Sequence, residues 1–396
     1  MAGRVAPYVD NTGLVFVYDQ SNTVRSYLGE PTANVVNTNG QGYDPLDLYT
    51  WAPSGYLSTW SRDPLAERSP VGGIPLKEVS SGTDAYSDTY NNLTDSLGAA
   101  SSGQTWTVSI YAKAAAGTNL QLWLFEANSS GGYVALSADN YTATGNWQRI
   151  ALTRTLTDGT TAAVQARIAT STNGGIIWWD GLQMEQKTKA TQFTTGTRSA
   201  TQGLKDLTGR STINLSNVSF DSNAQMLFDG TNDSLVVGNN SILKNNNTSI
   251  EFIIKYLNTP NGDIIQFGVG SGTYAQYYYR AYSGYSFWNW YPVGTGYGEI
   301  AIPNAALPLN KFHHVVMTGT PEGYVQFYIN GIAQSGATRT PNSQPANWTP
   351  ADLTIGGFSW DGYSNSEIPY VKIYNKVLTA SEIQQNFNAV RGRYGI

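Results

Sequence analysis

The sequence predicts an all-β fold of more than one β-sandwich, closed by a single short helix. Three observations carry this. Charged residues make up only 13% of the chain while aromatics reach 12%, with 26 Tyr and 41 Gly, so there is too little Lys and Glu for long helices and much that favours strands. Several stretches alternate apolar and polar with period two, separated by Gly, Asn and Ser clusters. At 396 residues the chain is too long for one ordinary sandwich.

The elements follow in order. Trp106, Val108, Ile110 and Ala112 fall on one face of a half-buried strand. Strands at residues 120–125, 147–152, 164–170 and 175–183 come next, each bounded by turn residues. Trp178 and Trp179 must face opposite ways on their strand, so one of them belongs to the core. Near the C-terminus, Thr379 and Glu382 form a capping-box pattern. Ile383, Phe387 and Val390 then make one apolar helical stripe, and Gly392 is placed to end the helix.

Charge and composition exclude several functions. A net charge of −5 gives no electrostatic case for nucleic acid or an anionic membrane. With no cysteine, disulfides, thiolate metal sites and cysteine nucleophiles are out of reach. Residues 1–7 contain no apolar signal-peptide core, and no long apolar run predicts a membrane span.

Two resemblances add to this. Residues 311–318, 325–331, 353–357 and 371–383, in that order and spacing, resemble the last strands and terminal helix of a concanavalin A-like (laminin-G-like) β-sandwich. The ending at 385–396 is similar to the tail of such domains in virion proteins of tailed bacteriophages. Residues 31–197, through Trp106 to Ala114, Gly145 to Arg149, Ile177 to Glu185 and Ala190 to Phe193, resemble carbohydrate-binding jelly rolls. The opening motif of the laminin-G-like domain is split: its first half matches Gly13 to Asp19 with Ser26 and Tyr27, its second half Asp206 to Gly209.

The resemblance therefore implies two β-sandwich/jelly-roll domains, one inserted into the other. Residues 1–30 form an N-terminal arm and first strand, 31–197 an inserted jelly roll, and 198–396 the rest of the laminin-G-like sandwich. It implies a structural surface protein of a tailed-phage virion, as capsid decoration, head fibre, neck or tail appendage, with weak glycan adhesion. The alternative is a receptor-binding tail protein recognising host polysaccharide; an extracellular glycosidase is the third. Implied partners are other virion proteins, copies of the chain in a homo-oligomer such as a trimer, and host-surface glycans. No nucleic acid and no membrane insertion are expected, and the implied location is the virion surface.

No catalytic constellation is expected. Sandwich glycosidases place paired carboxylates on one strand as Glu-x-Asp-x-x-Glu, and no Glu-x-Asp occurs. His313 and His314, the only histidines, point to opposite faces of one strand; the reading is one outside and one near the core edge. There is no Gly-x-Ser-x-Gly elbow and no phosphate loop. No cofactor is expected; Asp229 and Asp233 offer oxygens that suit calcium or, more simply, a tight turn. The aromatic run 274–291 reads first as ordinary strand packing, then as a subunit interface, then as a glycan site, and supplies Tyr277, Tyr279, Tyr285, Trp288 and Trp290 as candidates for the latter two. Trp60 and Trp360 complete the candidates.

Overall fold

The computed structural model describes residues 11–38, 55–56, 58–81, 85–88, 98–221, 225–238, 247–260, 262–267, 277–290, 298–339, 352–358 and 362–396. Trp360 lies outside them. Antiparallel strands dominate, and one long helix closes the chain. Two compact units result: Met1–Glu30 with Ala200–Ile396, and Pro31–Ser199. Among the described residues no helix is long and apolar enough to cross a membrane.

The first unit is a sandwich of two sheets around one core. One sheet runs Ser219–Phe220, Met226–Asp229, Asn365–Tyr374, Thr248–Tyr256, His313–Gly319, Val325–Ile329, Ile332–Ala333 in spatial order. Leu14–Asp19 also pairs with Asn365–Tyr374, Leu14 opposite Tyr374. The second sheet runs Ile213–Ser216, Ser234–Val237, Leu353–Ile355, Gly262–Phe267, Tyr277–Tyr282, Tyr285–Trp290, Gly298–Pro303, Ala337–Arg339. Phe16, Phe252, Ile265, Tyr279, Trp288 and Val371 meet in the core between them. Thr248–Tyr256 is buried along nearly its whole length because both its faces are covered: Ile250, Phe252 and Ile254 by the core, Ile253 by a smaller cluster that includes Val390 of the helix.

The helix Ala380–Tyr394 starts as its sequence dictates. Thr379 is the N-cap and Glu382 completes the capping box. Its end differs from expectation. The helix passes through Gly392, and Gly395 terminates it at φ 67° with its N–H donated to Arg391 O. A glycine inside a helix is tolerated, whereas the left-handed cap strongly favours one. Under the helix, Glu251 is fully buried and accepts from Asn386 Nδ2 (2.7 Å), Tyr374 Oη (3.0 Å) and His314 Nε2 (3.2 Å). Burial alone would raise the Glu251 carboxyl; the His314 bond and the charge of Lys372 outweigh it and hold it low.

In the first unit the segments either side of the gap at 31–199 run together. Leu28 N–H donates to Gly203 O at 2.8 Å, and Lys205 N–H to Ser26 O at 2.8 Å. The approach demands glycine: a Cβ on Gly203 would stand 2.6 Å from Gly29 O.

The second unit is also a two-sheet sandwich. Tyr133–Thr142, Asn119–Asn128, Thr161–Thr170, Ala85–Asp88 and Gly55–Tyr56 form one sheet, which Gly98–Ala99 joins at Thr161–Thr170; Gln148–Thr155, Thr105–Ala114, Ile176–Glu185, Leu76–Ser80 and Ser58–Arg62 form the other. Trp106, Val108, Ile110 and Ala112 all point into its core, as their alternation requires. Trp179 is buried there and donates Nε1 to Glu78 Oε2 at 2.8 Å, while Trp178 faces outward and donates to Asp63 Oδ2 at 3.0 Å. Burial raises the Glu78 carboxyl to about 7 despite the bonds from Trp179 and Ser58.

Candidate functional site

The aromatic run folds as a hairpin. Tyr277–Tyr282 and Tyr285–Trp290 are joined by Ser283 and Gly284, both at positive φ (51° and 82°), the pattern of a two-residue primed turn. The hairpin register sorts the side chains. Tyr277, Tyr279, Trp288 and Trp290 point inward and are fully buried. Their polar tips are largely met inside: Tyr279 Oη lies 2.6 Å from Tyr256 Oη, Trp288 Nε1 donates to Thr318 O (3.2 Å), and Trp290 Nε1 to Thr320 O (2.8 Å). These four rings are core, out of reach of a glycan or a neighbouring subunit.

The opposite phase of the same strands builds a different surface. Gln266, Tyr278, Asn289 and Glu299 stand directly opposite one another across four strands. Thr354 extends this row beside Gln266. A second row holds Asp263, Arg280, Phe287 and Ala301. Tyr285, 48% exposed and 6.2 Å from the Phe287 ring, continues the face at the hairpin end. Of the expected aromatics, it alone is brought to this surface among the described residues.

The hydrogen bonding of the face is incomplete. Asn289 Nδ2 donates to Glu299 Oε2 at 2.7 Å, yet Asn289 Oδ1 has no partner among the described residues. Gln266 Oε1 and Arg280 Nε are equally unmet. Asn289 is 1% exposed and Gln266 7%. Buried polar atoms are nearly always satisfied, and an orphan costs about 1–3 kcal/mol. Three such atoms lie on this one outer face. The Arg280 guanidinium lies over Tyr278 (5.2 Å) and Phe287 (5.6 Å), which fixes its plane.

The alternation of a strand already sets Tyr278 and Arg280 on the face opposite Tyr277 and Tyr279, but the sequence candidates included neither them nor Gln266, Phe287, Asn289 and Glu299. The available signal was the charge of Arg280 between Tyr279 and Ala281, which marks the outward phase.

The other predicted residues do not converge here. Trp60 is half-buried against the core of the second unit. Asp229 and Asp233 make a turn: Asp229 Oδ1 accepts Thr231 N–H (2.7 Å), and Asp233 Oδ2 accepts Asp229 N–H (2.9 Å) around Gly230 at φ 83°. Burial pushes the Asp233 carboxyl up, against the ionised form a cation would need. Among the described residues no group of three or more His, Cys, Asp or Glu is placed to hold a metal ion. His313 and His314 do point apart, but both are buried, correcting the expectation of one outside. His313 Nε2 donates to Pro308 O at 3.0 Å, and His314 is taken up by Glu251 under the helix.

The second unit has an aromatic outer face of its own. Trp123, Phe125 and Tyr133 stack at 5.8 and 4.6 Å, and Arg167 lies over Trp123 and Phe125.

Residues 229–384, all within the first unit, match the family model described as Concanavalin A-like lectin/glucanases superfamily. No curated protein matches the chain. Among solved structures, the chain is similar to the receptor binding domain of botulinum neurotoxin C/D mosaic serotype (18% identity, TM-score 0.37, 47% of this chain and 48% of that one). It is similar also to the botulinum neurotoxin serotype D ligand binding domain in complex with N-acetylneuraminic acid (18%, 0.38, 48% and 49%). A third is the binding domain of botulinum neurotoxin DC in complex with rat synaptotagmin II (19%, 0.38, 48% and 50%). The chain spans about half the length of each.

Proposed function

We propose that this chain is a non-enzymatic, glycan-adhesive protein of a tailed-phage virion surface, and that the outer face of the laminin-G-like sandwich is its adhesive site. The observation that carries the adhesive reading is the row Gln266–Tyr278–Asn289–Glu299 with its unmet amide oxygens. Saccharides present hydroxyl donors to such oxygens and apolar C–H faces to rings such as Tyr278 and Phe287. The match to the lectin/glucanase superfamily supports the same reading. The virion placement is supported by the likeness of residues 385–396 to phage virion tails.

Binding rather than hydrolysis fits the carboxylates. Glycosidases flank the scissile bond with two carboxyl groups. Glu299 is the one carboxylate among the described side chains of these rows, and Asn289 holds its Oε2.

The test is a panel of bacterial surface polysaccharides on an array, with Gln266→Ala and Asn289→Ala beside the unaltered protein. Saturable binding lost in both variants at unchanged melting temperature is expected. Undiminished binding in both would sink the assignment of the face. Reducing-end release that disappears on changing one carboxylate would overturn the non-enzymatic reading. Gold-labelled antibody on intact particles tests the virion placement, and unlabelled particles would remove it.

A further inference from the structure

We infer that the side chains of Lys372 and Asn11 join in a spontaneous amide bond, with Glu251 as the base that serves its formation. The site lies on the opposite sheet of the first unit from the proposed adhesive face and stands whether or not that face binds glycan.

Lys372 belongs to a cross-strand row with Val17 and Glu251. It is only 4% exposed, and its Nζ stands near the rings of Tyr370 (5.6 Å) and Tyr374 (5.8 Å). Nζ donates to Asn11 Oδ1 at 3.5 Å, so an enclosed lysine nitrogen meets a neutral carboxamide. An apolar enclosure favours the free amine, the nucleophilic form, over the ammonium. Glu251 is directly opposite Lys372, at roughly 5 Å between Cβ atoms for such a pair. Its carboxylate is fully buried and oriented by Tyr374, Asn386 and His314.

Asn11 is held in place by its own turn. Leu14 N–H donates to Asn11 O at 3.1 Å, and Asn375 N–H to Gly13 O at 2.8 Å. Gly13 takes φ 74°, and a Cβ there would stand 2.7 Å from Asn375 Oδ1. The segment is thus pinned against the end of the terminal strand. Asn11 itself is exposed, which gives the leaving group an exit to solvent.

The step balances without oxidant or cofactor. Glu251 takes one proton from the Lys372 ammonium. Nζ adds to Cγ of Asn11, the Cγ–Nδ2 bond breaks, and the asparagine nitrogen departs as ammonia with the second proton from Nζ. Glu251 returns its proton to that ammonia, and ammonium leaves. The product closes a covalent loop over a separation of 361 residues. In a chain with no cysteine, it constrains the unfolded state as a disulfide would.

Tandem mass spectrometry on a digest of the full chain tests this. A branched peptide joining Asn11 to Lys372 is expected, and an intact mass lower by one ammonia, about 17 Da. Asn11→Ala and Lys372→Arg should each abolish the branch while a cooperative melt is retained. Glu251→Gln should slow branch formation at least about tenfold, the range of a general base. If Glu251→Gln does not fold, Glu251→Asp, which keeps the acid, replaces it and should form the branch more slowly than the unaltered chain. Linear peptides alone would overturn the inference. So would an ammonia loss that maps to a succinimide at an Asn–Gly pair, or a branch from Lys372 to Asn386. Branching at the unaltered rate in a folded Glu251 variant would remove Glu251 from the site.

Discussion

Each unit lays an arginine across two aromatic rings on the outer face of a sheet, yet the two faces differ in what surrounds it. In the second unit, Arg167 covers Trp123 and Phe125, Phe125 is 2% exposed, and Tyr133 stacks on it at 4.6 Å. There Trp123 Nε1 has no hydrogen-bond partner among the described residues. In the first unit, Arg280 covers Tyr278 and Phe287 beside two buried amide oxygens that have no partner among the described residues. Stacked rings with an arginine on top are therefore a packing device in themselves. Unmet polar atoms alone do not separate the two faces, since Trp123 Nε1 is also unmet among the described residues; the first unit differs in setting two amide oxygens in one cross-strand row with its rings.

The sharpest way to break this contrast lies within a single strand. Trp288 and Asn289 are neighbours, one in the core and one on the outer face. Trp288→Ala should destabilise the first unit by about 3–5 kcal/mol through the cavity it leaves, read as a lowered denaturation midpoint. A change under 1 kcal/mol would mean that Trp288 is not core. Asn289→Ala should move stability by no more than about 1 kcal/mol, since it removes an orphan as well as a bond, while abolishing glycan binding.

The second unit carries its strained polar group inside. Glu78 is fully buried beside Trp179 with its carboxyl raised to about 7 from an ordinary 4.5. A carboxyl raised on folding favours the folded state most below its unfolded value, and that contribution is lost as pH rises through the folded one. The stability of this unit should therefore fall between about pH 4.5 and 7, by up to about 3 kcal/mol for a shift of this size. Glu78→Gln should flatten the dependence, raising the melting temperature at pH 8 more than at pH 5. Parallel curves for the two proteins would show that Glu78 is not the titrating group.

The smallest effects test which face binds. Trp123→Ala should leave polysaccharide binding unchanged. Replacing residues 31–199 by a short Gly-Ser linker should do the same, with a cooperative melt retained, because Leu28 and Gly203 already meet at 2.8 Å. A folded but non-binding remnant would move the site to the second unit.

The legible parts of the fold were those written in local chemistry. The capping box at Thr379 and Glu382, the single-faced alternation of Trp106 to Ala112 and the opposition of Trp178 and Trp179 each depend on a few neighbouring residues. The end of the helix was misplaced because Gly392 and Gly395 are both permissive, and only Gly395 takes the left-handed conformation. The phase of Tyr277 to Trp290 was not legible from its rings. Three consecutive tyrosines carry no apolar–polar contrast, and the groups that accept the inward tips, Tyr256, Thr318 and Thr320, lie tens of residues away. The orphan oxygens of Gln266 and Asn289 had no sequence signal, because lacking a partner is a property of the folded surroundings.

The pairing of Leu14–Asp19 with Asn365–Tyr374 sets an order of events during synthesis. The first strand leaves the ribosome some 350 residues before its partner, so the first unit cannot close until the chain is almost finished. All of residues 31–199 emerge in that interval and are free to fold as a unit. Chains stopped near residue 360 should thus yield a protease-resistant fragment spanning 31–199 and nothing resistant from either flank. The long wait leaves an apolar first strand exposed, and the intervening unit, folding early, brings its two flanking segments together and shortens the search that the terminal strand must complete.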